Sequence, residues 1–335
     1  MQKKAVLLIN IGTPDKPEKK QVRKYLSEFL NDGRVIDIPW LARKILVNLI
    51  IIPFRTSKST KLYKTLWTEK GSPLLVYSKQ LEEKLNKRSG DEYDYYTAMR
   101  YGNPSLNDVL DHIKDKNYDE IILVPMFPQY ASSTTGSLLE FAFKKTSDWY
   151  VIPAIRSINQ FYDHPAFINS FVEQINREDP ESYDHIIFSY HGLPNSQVEK
   201  THPGISSVNC SCENAMPAHG KYCYKATCYE TTRKLADALN LNPGNYTVSF
   251  QSRLSKKWLT PFTDEVVTGL AKQGKKKILI AAPAFVTDCL ETIVELDVEY
   301  KELFLENGGD KLTMVKSLND EDHWVKSLAA IINGD

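Results

Sequence analysis

The chain has 335 residues, 42% hydrophobic and 25% charged, enough to bury the cores of two ordinary domains or of one large α/β unit. Lys plus Arg and Asp plus Glu both number 42, so the formal net charge is zero and the simplest case for a nucleic-acid partner, an excess of positive charge, is excluded. The 18 Tyr and 13 Phe serve either aromatic core packing or a site for a flat aromatic ligand.

At the N-terminus the apolar run in KKAVLLINIG is too short for a secretion signal, and no A-x-A cleavage pattern follows. Residues 5–9 predict a strand that ends in Asn10-Ile11-Gly12-Thr13-Pro14. The strongest apolar stretch, 36–54 (IDIPWLARKILVNLIIIPF), is broken by Asp37, Pro39, Arg43, Lys44 and Asn48. A membrane span needs about 20 mostly apolar residues without such charges. The stretch therefore reads as an amphipathic helix that lies on a bilayer or covers an apolar pocket, with an ordinary core helix as the alternative. The expected location is the cytoplasm, with peripheral membrane contact through this stretch.

Further along, β-rich runs at 93–99, 120–124, 185–189, 246–250 and 277–281 alternate with helical patterns at 105–116, 165–176, 231–239 and 262–273. Such alternation predicts βαβ units, a parallel sheet and helices on both of its faces. After the 120–124 strand comes FPQYASSTTG, whose hydroxyls are placed to cap the next helix.

His191 follows HIIFSY, at the carboxyl end of a buried strand, where open α/β sheets gather their ligands. An imidazole titrates near neutrality, so it can take a proton or bind a metal there. A hydrogen-bonded structural histidine is the alternative. Four of the five cysteines then fall within 19 residues as C-x-C-x10-C-x4-C: Cys210, Cys212, Cys223 and Cys228. A reducing cytosol disfavours disulfides, so the group reads as a metal site or as free thiols. Zinc usually takes C-x2-C pairs, which are missing, whereas four thiolates also suit a [2Fe–2S] cluster. The segment 201–228 is poor in apolar residues, and a metal would help to order it.

The 246–250 strand leads into FQSR, whose Arg253 is available to a carboxylate. After the 277–281 strand and Pro283-Ala284-Phe285 comes TDCLETIVELDVE. Helical spacing puts Asp288, Glu291, Glu295 and Glu299 on one face, with Leu290, Val294 and Val298 opposite. Like charges so spaced repel, and either a cation guided along them or a solvated acidic face accounts for the row. Cys289 reads as a small packing residue.

The chain also resembles itself. NIGTP after the first strand matches YHGLP about 180 residues later, and EIILVPMF matches KILIAAPAF, in the same order. Two similar α/β halves are expected, divided near residues 155–180.

SYHGLP, FPQYASSTTG, FQSRLSKKWLTPFTDE and APAFVTDCLETIVELDVEY resemble the signatures of the ferrochelatases, as do LLINIGTP and KGSPLLVYS, over roughly residues 5–320. The resemblance implies two Rossmann-like, doubly wound parallel halves, 1–160 and 161–318, with a porphyrin cleft between them. The second half carries the Cys-rich insertion 201–228, and a C-terminal helix in 319–335 packs back on the first. It implies insertion of Fe2+, as substrate metal, into protoporphyrin IX, with His191 and Glu291 catalytic and with Glu295 and Asp288 continuing a metal path. Stretch 36–54 becomes the lip over the cleft and Arg55 a propionate ligand. Asn10, Ile11, Tyr63, Ser72 and Tyr130 become porphyrin contacts. Some members carry a [2Fe–2S] cluster on an internal four-cysteine segment, and this layout is similar. The animal arrangement does not apply, since Ser132 replaces one of its ligands and no cysteine follows Cys289. Coproporphyrin or another metal stays open as substrate, a non-catalytic tetrapyrrole or iron–sulfur protein stays open as a rival, and oligomeric state is not readable.

Overall fold

The computed structural model describes residues 3–334. Two compact units are present. One holds residues up to 127, 131–160 and 320–325; the other holds 128–130, 161–319 and the residues from 326 on.

In the first unit β1 (Lys4–Thr13) is central. It pairs in parallel with β2 (Tyr93–Gly102) on one side and β3 (Glu120–Pro125) on the other, and β4 (Ala154–Ser157) closes the sheet, giving the order β2-β1-β3-β4. Residues Ala5 to Ile9 are all buried, as a strand covered on both faces requires. Alternate residues Ala5, Leu7, Ile9, Ile121 and Leu123 pack on one face against Leu110 and Leu138 of helices Leu106–Lys114 and Ser137–Thr146. Gly12 is required where β1 ends: its φ is +114°, and a Cβ there would sit 1.7 Å from the Tyr101 carbonyl oxygen.

The second unit repeats the plan. β5 (His185–His191) is central between β6 (Tyr246–Gln251) and β7 (Lys277–Ala281), and β8 (Lys311–Met314) lies beyond β7, giving β6-β5-β7-β8. Its core joins Ile187, Ile278 and Ile280 to Val267 and Leu270 of helix Thr263–Lys272 and to Leu296 and Phe304. The internal repeat read from sequence is thus one strand order used twice.

Stretch 36–54 departs from a single helix. An α-helical turn, Trp40–Ile45, runs into a π-helix, Leu46–Ile51, and then into helix Ile52–Leu66. Pro53 has no N–H for the Leu49 carbonyl, so the regular ladder is interrupted there, and the Ile52 N–H instead reaches Val47. The core-helix alternative does not hold. Trp40 is 64% and Phe54 80% exposed, Leu41, Ile45, Leu49 and Ile50 are exposed too, and Val47 and Ile52 turn inward. Among the described residues no helix is long and apolar enough to cross a membrane.

Candidate active site

In this strand order the chain leaves β5 toward β6 on one side and β7 on the other, so a crevice opens at the carboxyl ends, where β5 and β7 diverge. His191 is the last residue of β5, and its register partner Gln251 is the last of β6. Gly192 follows because a Cβ there would stand 2.8 Å from the Gln251 carbonyl oxygen, which accepts the Gly192 N–H. The His191 Nδ1 lies 2.7 Å from the Gly192 carbonyl oxygen. A carbonyl only accepts, so in the neutral ring Nδ1 carries the hydrogen and Nε2 keeps its lone pair. Trp258 and Phe285 flank the ring, each with a centroid separation of 6.4 Å. The Tyr224 hydroxyl donates to the His191 main-chain carbonyl at 3.0 Å.

Gln251 joins this strand end to the acidic segment after β7. Its Oε1 accepts from Ser189 of β5 at 2.8 Å; its Nε2 donates to the Glu291 main-chain carbonyl at 3.0 Å and to the Glu295 carboxylate at 3.1 Å. Glu295 also accepts from the Ser252 N–H at 2.7 Å, the Ser252 hydroxyl and the Tyr300 hydroxyl at 2.8 Å. The Tyr300 hydroxyl, partly buried beside this carboxylate, stays protonated well above its usual range.

The acidic segment is a π-helix, Glu291–Tyr300, and this corrects the α-helical row. With i→i+5 bonds, steps of three and four no longer stack. Tyr300, five residues after Glu295, reaches its carboxylate. Val298, expected to bury, is exposed, while Val294 and Leu296 are buried. Asp288 lies before this helix and is spent on structure: it is buried, and its carboxylate accepts from Thr292, the Ser317 N–H and Asn319. It therefore does not extend the row as a metal path. Cys289 does more than pack. Burial, then the Glu291 carboxylate beside it, raises the thiol well above its ordinary range, so it stays protonated.

The other expected residues are placed as follows. Asn10 is buried and donates to Ser78 at 3.0 Å; Ile11 is partly exposed. Ser72 is buried and accepts from Thr13 at 2.9 Å; Tyr63 is buried, edge-on to Tyr25. Arg55 is exposed on helix Ile52–Leu66. These five belong to the first unit, Tyr130 to the second, where it packs edge-on to Tyr222. The hydroxyls of FPQYASSTTG do not cap the following helix, because residues 132–136 already form a π-turn that runs into it; Ser132 accepts instead from Arg34. Arg253 pairs with Asp264 and Glu265.

Cys210, Cys212, Cys223 and Cys228 are buried together. Burial pushes the Cys212 thiol up to about 12, with Cys210 and Cys223 adding to the rise, and burial likewise raises Cys223 and Cys228. Cys210 lies 3.4 Å from His219 Nε2, and the Lys225 ammonium is buried beside Cys212 and Cys223. Among the described residues no three His, Cys, Asp or Glu side chains are drawn in around a single-ion site.

Sequence reasoning missed Gln251, Tyr224 and the Cys289–Glu291 contact. For Gln251 a signal existed, since it directly follows the strand predicted at 246–250. In the first unit it also missed an ion pair, Asp32 with Arg100 at 2.7 Å. Burial works against the Asp32 charge, but donors from Ser137, Arg34 N–H and Tyr101, with the Arg100 charge, hold its carboxyl below the usual range.

The ferrochelatase family model matches residues 3–335. A ferrochelatase of Legionella pneumophila (strain Lens) is 39% identical over 335 residues, covering 99% of both chains. One of Coxiella burnetii (strain CbuG_Q212) is 40% identical over 332 residues, covering 97% of this chain and 91% of its own. Among solved structures, SirB from Bacillus subtilis with Fe3+ has the same fold, with a TM-score of 0.56 at 10% identity over 99% of this chain and 93% of SirB.

Proposed function

The chain belongs to the ferrochelatase family and inserts Fe2+ into a porphyrin; we propose that the porphyrin is protoporphyrin IX and that His191 and Glu291 act on it together. The observation that carries this reading is the pairing of His191 at the end of β5 with Gln251 at the end of β6, whose side-chain amide holds the Glu291 main-chain carbonyl and the Glu295 carboxylate of the helix after β7. Insertion releases two pyrrole protons as the metal enters. The Nε2 lone pair of His191 is the acceptor for them or the presenting ligand for iron, and the Glu291 carboxylate provides the paired negative charge. Glu295, held by four donors, is a rigid anion behind that pair. Binding strain that bends the ring would expose its nitrogen lone pairs to the metal.

Protoporphyrin is favoured by the apolar side chains of 36–54, because coproporphyrin carries more carboxylates to desolvate. Arg55 is proposed to pair with a propionate, and Asn10, Ile11, Tyr63, Ser72 and Tyr130 to contact the porphyrin. The same apolar stretch is proposed to touch a bilayer from the cytoplasm, a location supported by five unbridged cysteines. Incubation of the purified protein with Fe2+ or Zn2+ and each porphyrin, followed at the Soret band, tests the reading. Faster metalation of coproporphyrin would overturn the substrate assignment; no metalation of any porphyrin would favour a binding protein.

We further propose that Cys210, Cys212, Cys223 and Cys228 hold a [2Fe–2S] cluster. Support comes from four buried thiols of which Cys212 and Cys223 each neighbour the other three. The cluster would supply cross-linking of a segment with little core of its own. Brown protein with about two irons per chain is expected by analogy with such clusters; colourless zinc-containing protein, or four titratable thiols with no metal, would overturn the assignment.

A further inference from the structure

The Cys-rich segment and the strand that ends in His191 meet on one helix. Helix Tyr224–Ala238 begins directly after Cys223 and is tied to the end of β5 by two hydrogen bonds. Tyr224, Cys228 and Thr232 follow one another at steps of four and so share a face. All three are buried. Tyr224 donates to the carbonyl of His191 at 3.0 Å, and Thr232 shares a hydrogen bond of 2.8 Å with Tyr190. The Cys228 thiol sits between these ties, beside both tyrosine hydroxyls. Two adjacent residues at the end of one strand are therefore pinned from two points about two turns apart on one helix.

The two ties differ in what they hold. The Thr232 bond ends on the side chain of Tyr190, which is wholly buried. The Tyr224 bond ends on the main chain of His191, at the last carbonyl before the chain leaves the sheet at Gly192. If that bond is lost, the peptide plane between His191 and Gly192 keeps only the Gly192 N–H bond to the Gln251 carbonyl and can pivot about it. A turn there moves the Gly192 carbonyl, which is the acceptor that orients the imidazole through Nδ1. The direction of the Nε2 lone pair depends on this chain of two hydrogen bonds.

We propose that Tyr224 is a positioning residue for metal insertion, fixing the His191 main chain and tying it to the four-cysteine segment through the helix that starts at Cys223. The proposal rests on the reading of His191 as a reacting group. It does not require that the four thiols carry a particular metal, because the tie exists in the protein's own hydrogen bonds. Displacements of about 1 Å in a catalytic group cost up to about 10²-fold in rate. Tyr224→Phe removes one hydroxyl and keeps the ring.

The test is steady-state Zn2+ insertion into protoporphyrin by full-length wild type, Tyr224→Phe and Thr232→Val, with the melting temperature of each. Tyr224→Phe is expected to lower kcat roughly 10-fold, well within that bound, with the porphyrin KM unchanged and Tm within a few degrees of wild type. Thr232→Val, which cuts the neighbouring tie, is expected to lower Tm and leave kcat unchanged. A Tyr224→Phe kcat within twofold of wild type overturns the proposal. So does an equal loss of kcat in both variants, or a Tyr224→Phe loss that comes with a matching rise in KM and fall in Tm, since either reports general loosening. The wild-type rate scores the underlying reading, and the ratio of variant to wild type scores this one.

Discussion

Gln251 and Glu295 are joined by a hydrogen bond of 3.1 Å, and the same Gln251 nitrogen holds the main-chain carbonyl of Glu291 at 3.0 Å. The strand partner of His191 is thereby fastened to the acidic helix, so the two halves of the proposed chemistry share one buried amide.

Gln251→Leu should show the value of that amide. It strips partners from a carboxylate, a carbonyl and the Ser189 hydroxyl at once. Unfolding in urea should show a loss of about 2–3 kcal/mol, and insertion should slow by at least about tenfold. A variant as stable and active as wild type would show that the amide positions nothing.

Cys289→Ala removes the thiol that lies against Glu291, whereas Cys289→Ser keeps a donor of similar reach. The alanine variant should lower kcat a few-fold, by about 1 kcal/mol of lost hydrogen bonding. The serine variant should lie closer to wild type. Equal rates in both variants, measured at the Soret band, would return Cys289 to mere packing.

His185 begins β5, at the end remote from His191 in sequence, with Nε2 bonded to Thr247 at 2.8 Å. Burial, then the nearby Lys275 charge, pulls its pKa from 6.5 down to about 4. The unfolded chain therefore binds the proton first as pH falls. The stability that comes from keeping this ring neutral is complete above pH 6.5 and is lost as pH drops from there to about 4. Allowing for solvent screening, the loss is about 1–2 kcal/mol. Urea unfolding across this window should give a shallower pH slope in His185→Gln than in wild type; identical slopes would contradict the assignment.

The outward side chains of 36–54 make a prediction about membranes. Replacing Trp40 and Phe54 together by Ser should weaken binding to phospholipid vesicles by about 2–4 kcal/mol, from the apolar area withdrawn. Sedimentation with vesicles of neutral lipid reads this directly. Unchanged partitioning would leave the stretch without a bilayer role.

Much of the fold could be read before the coordinates. β1 and β5 are near-continuous apolar runs bounded by turn residues, which a strand covered on both faces must be. His191 was legible for the same reason, because a polar residue ending such a run stands at the mouth of the sheet. The π-helix was not legible. ETIVELDVEY has ordinary helical periodicity, and what interrupts the α-helical ladder is tertiary: the Glu291 carbonyl accepts from the side chain of Gln251. No local pattern announces that. Asp288 was misassigned for a related reason. Its partners Ser317 and Asn319 lie about thirty residues on, in the segment after β8. Tyr224 was hidden inside a cysteine pattern that drew attention to the sulfurs around it.

The central claim, that the Nε2 lone pair of His191 takes part in metal insertion, meets its most direct test in the insertion rate of His191→Ala under saturating porphyrin and metal. A fall of about 10²–10⁴-fold is expected, with folding and porphyrin binding retained. Insertion at the wild-type rate would contradict the account.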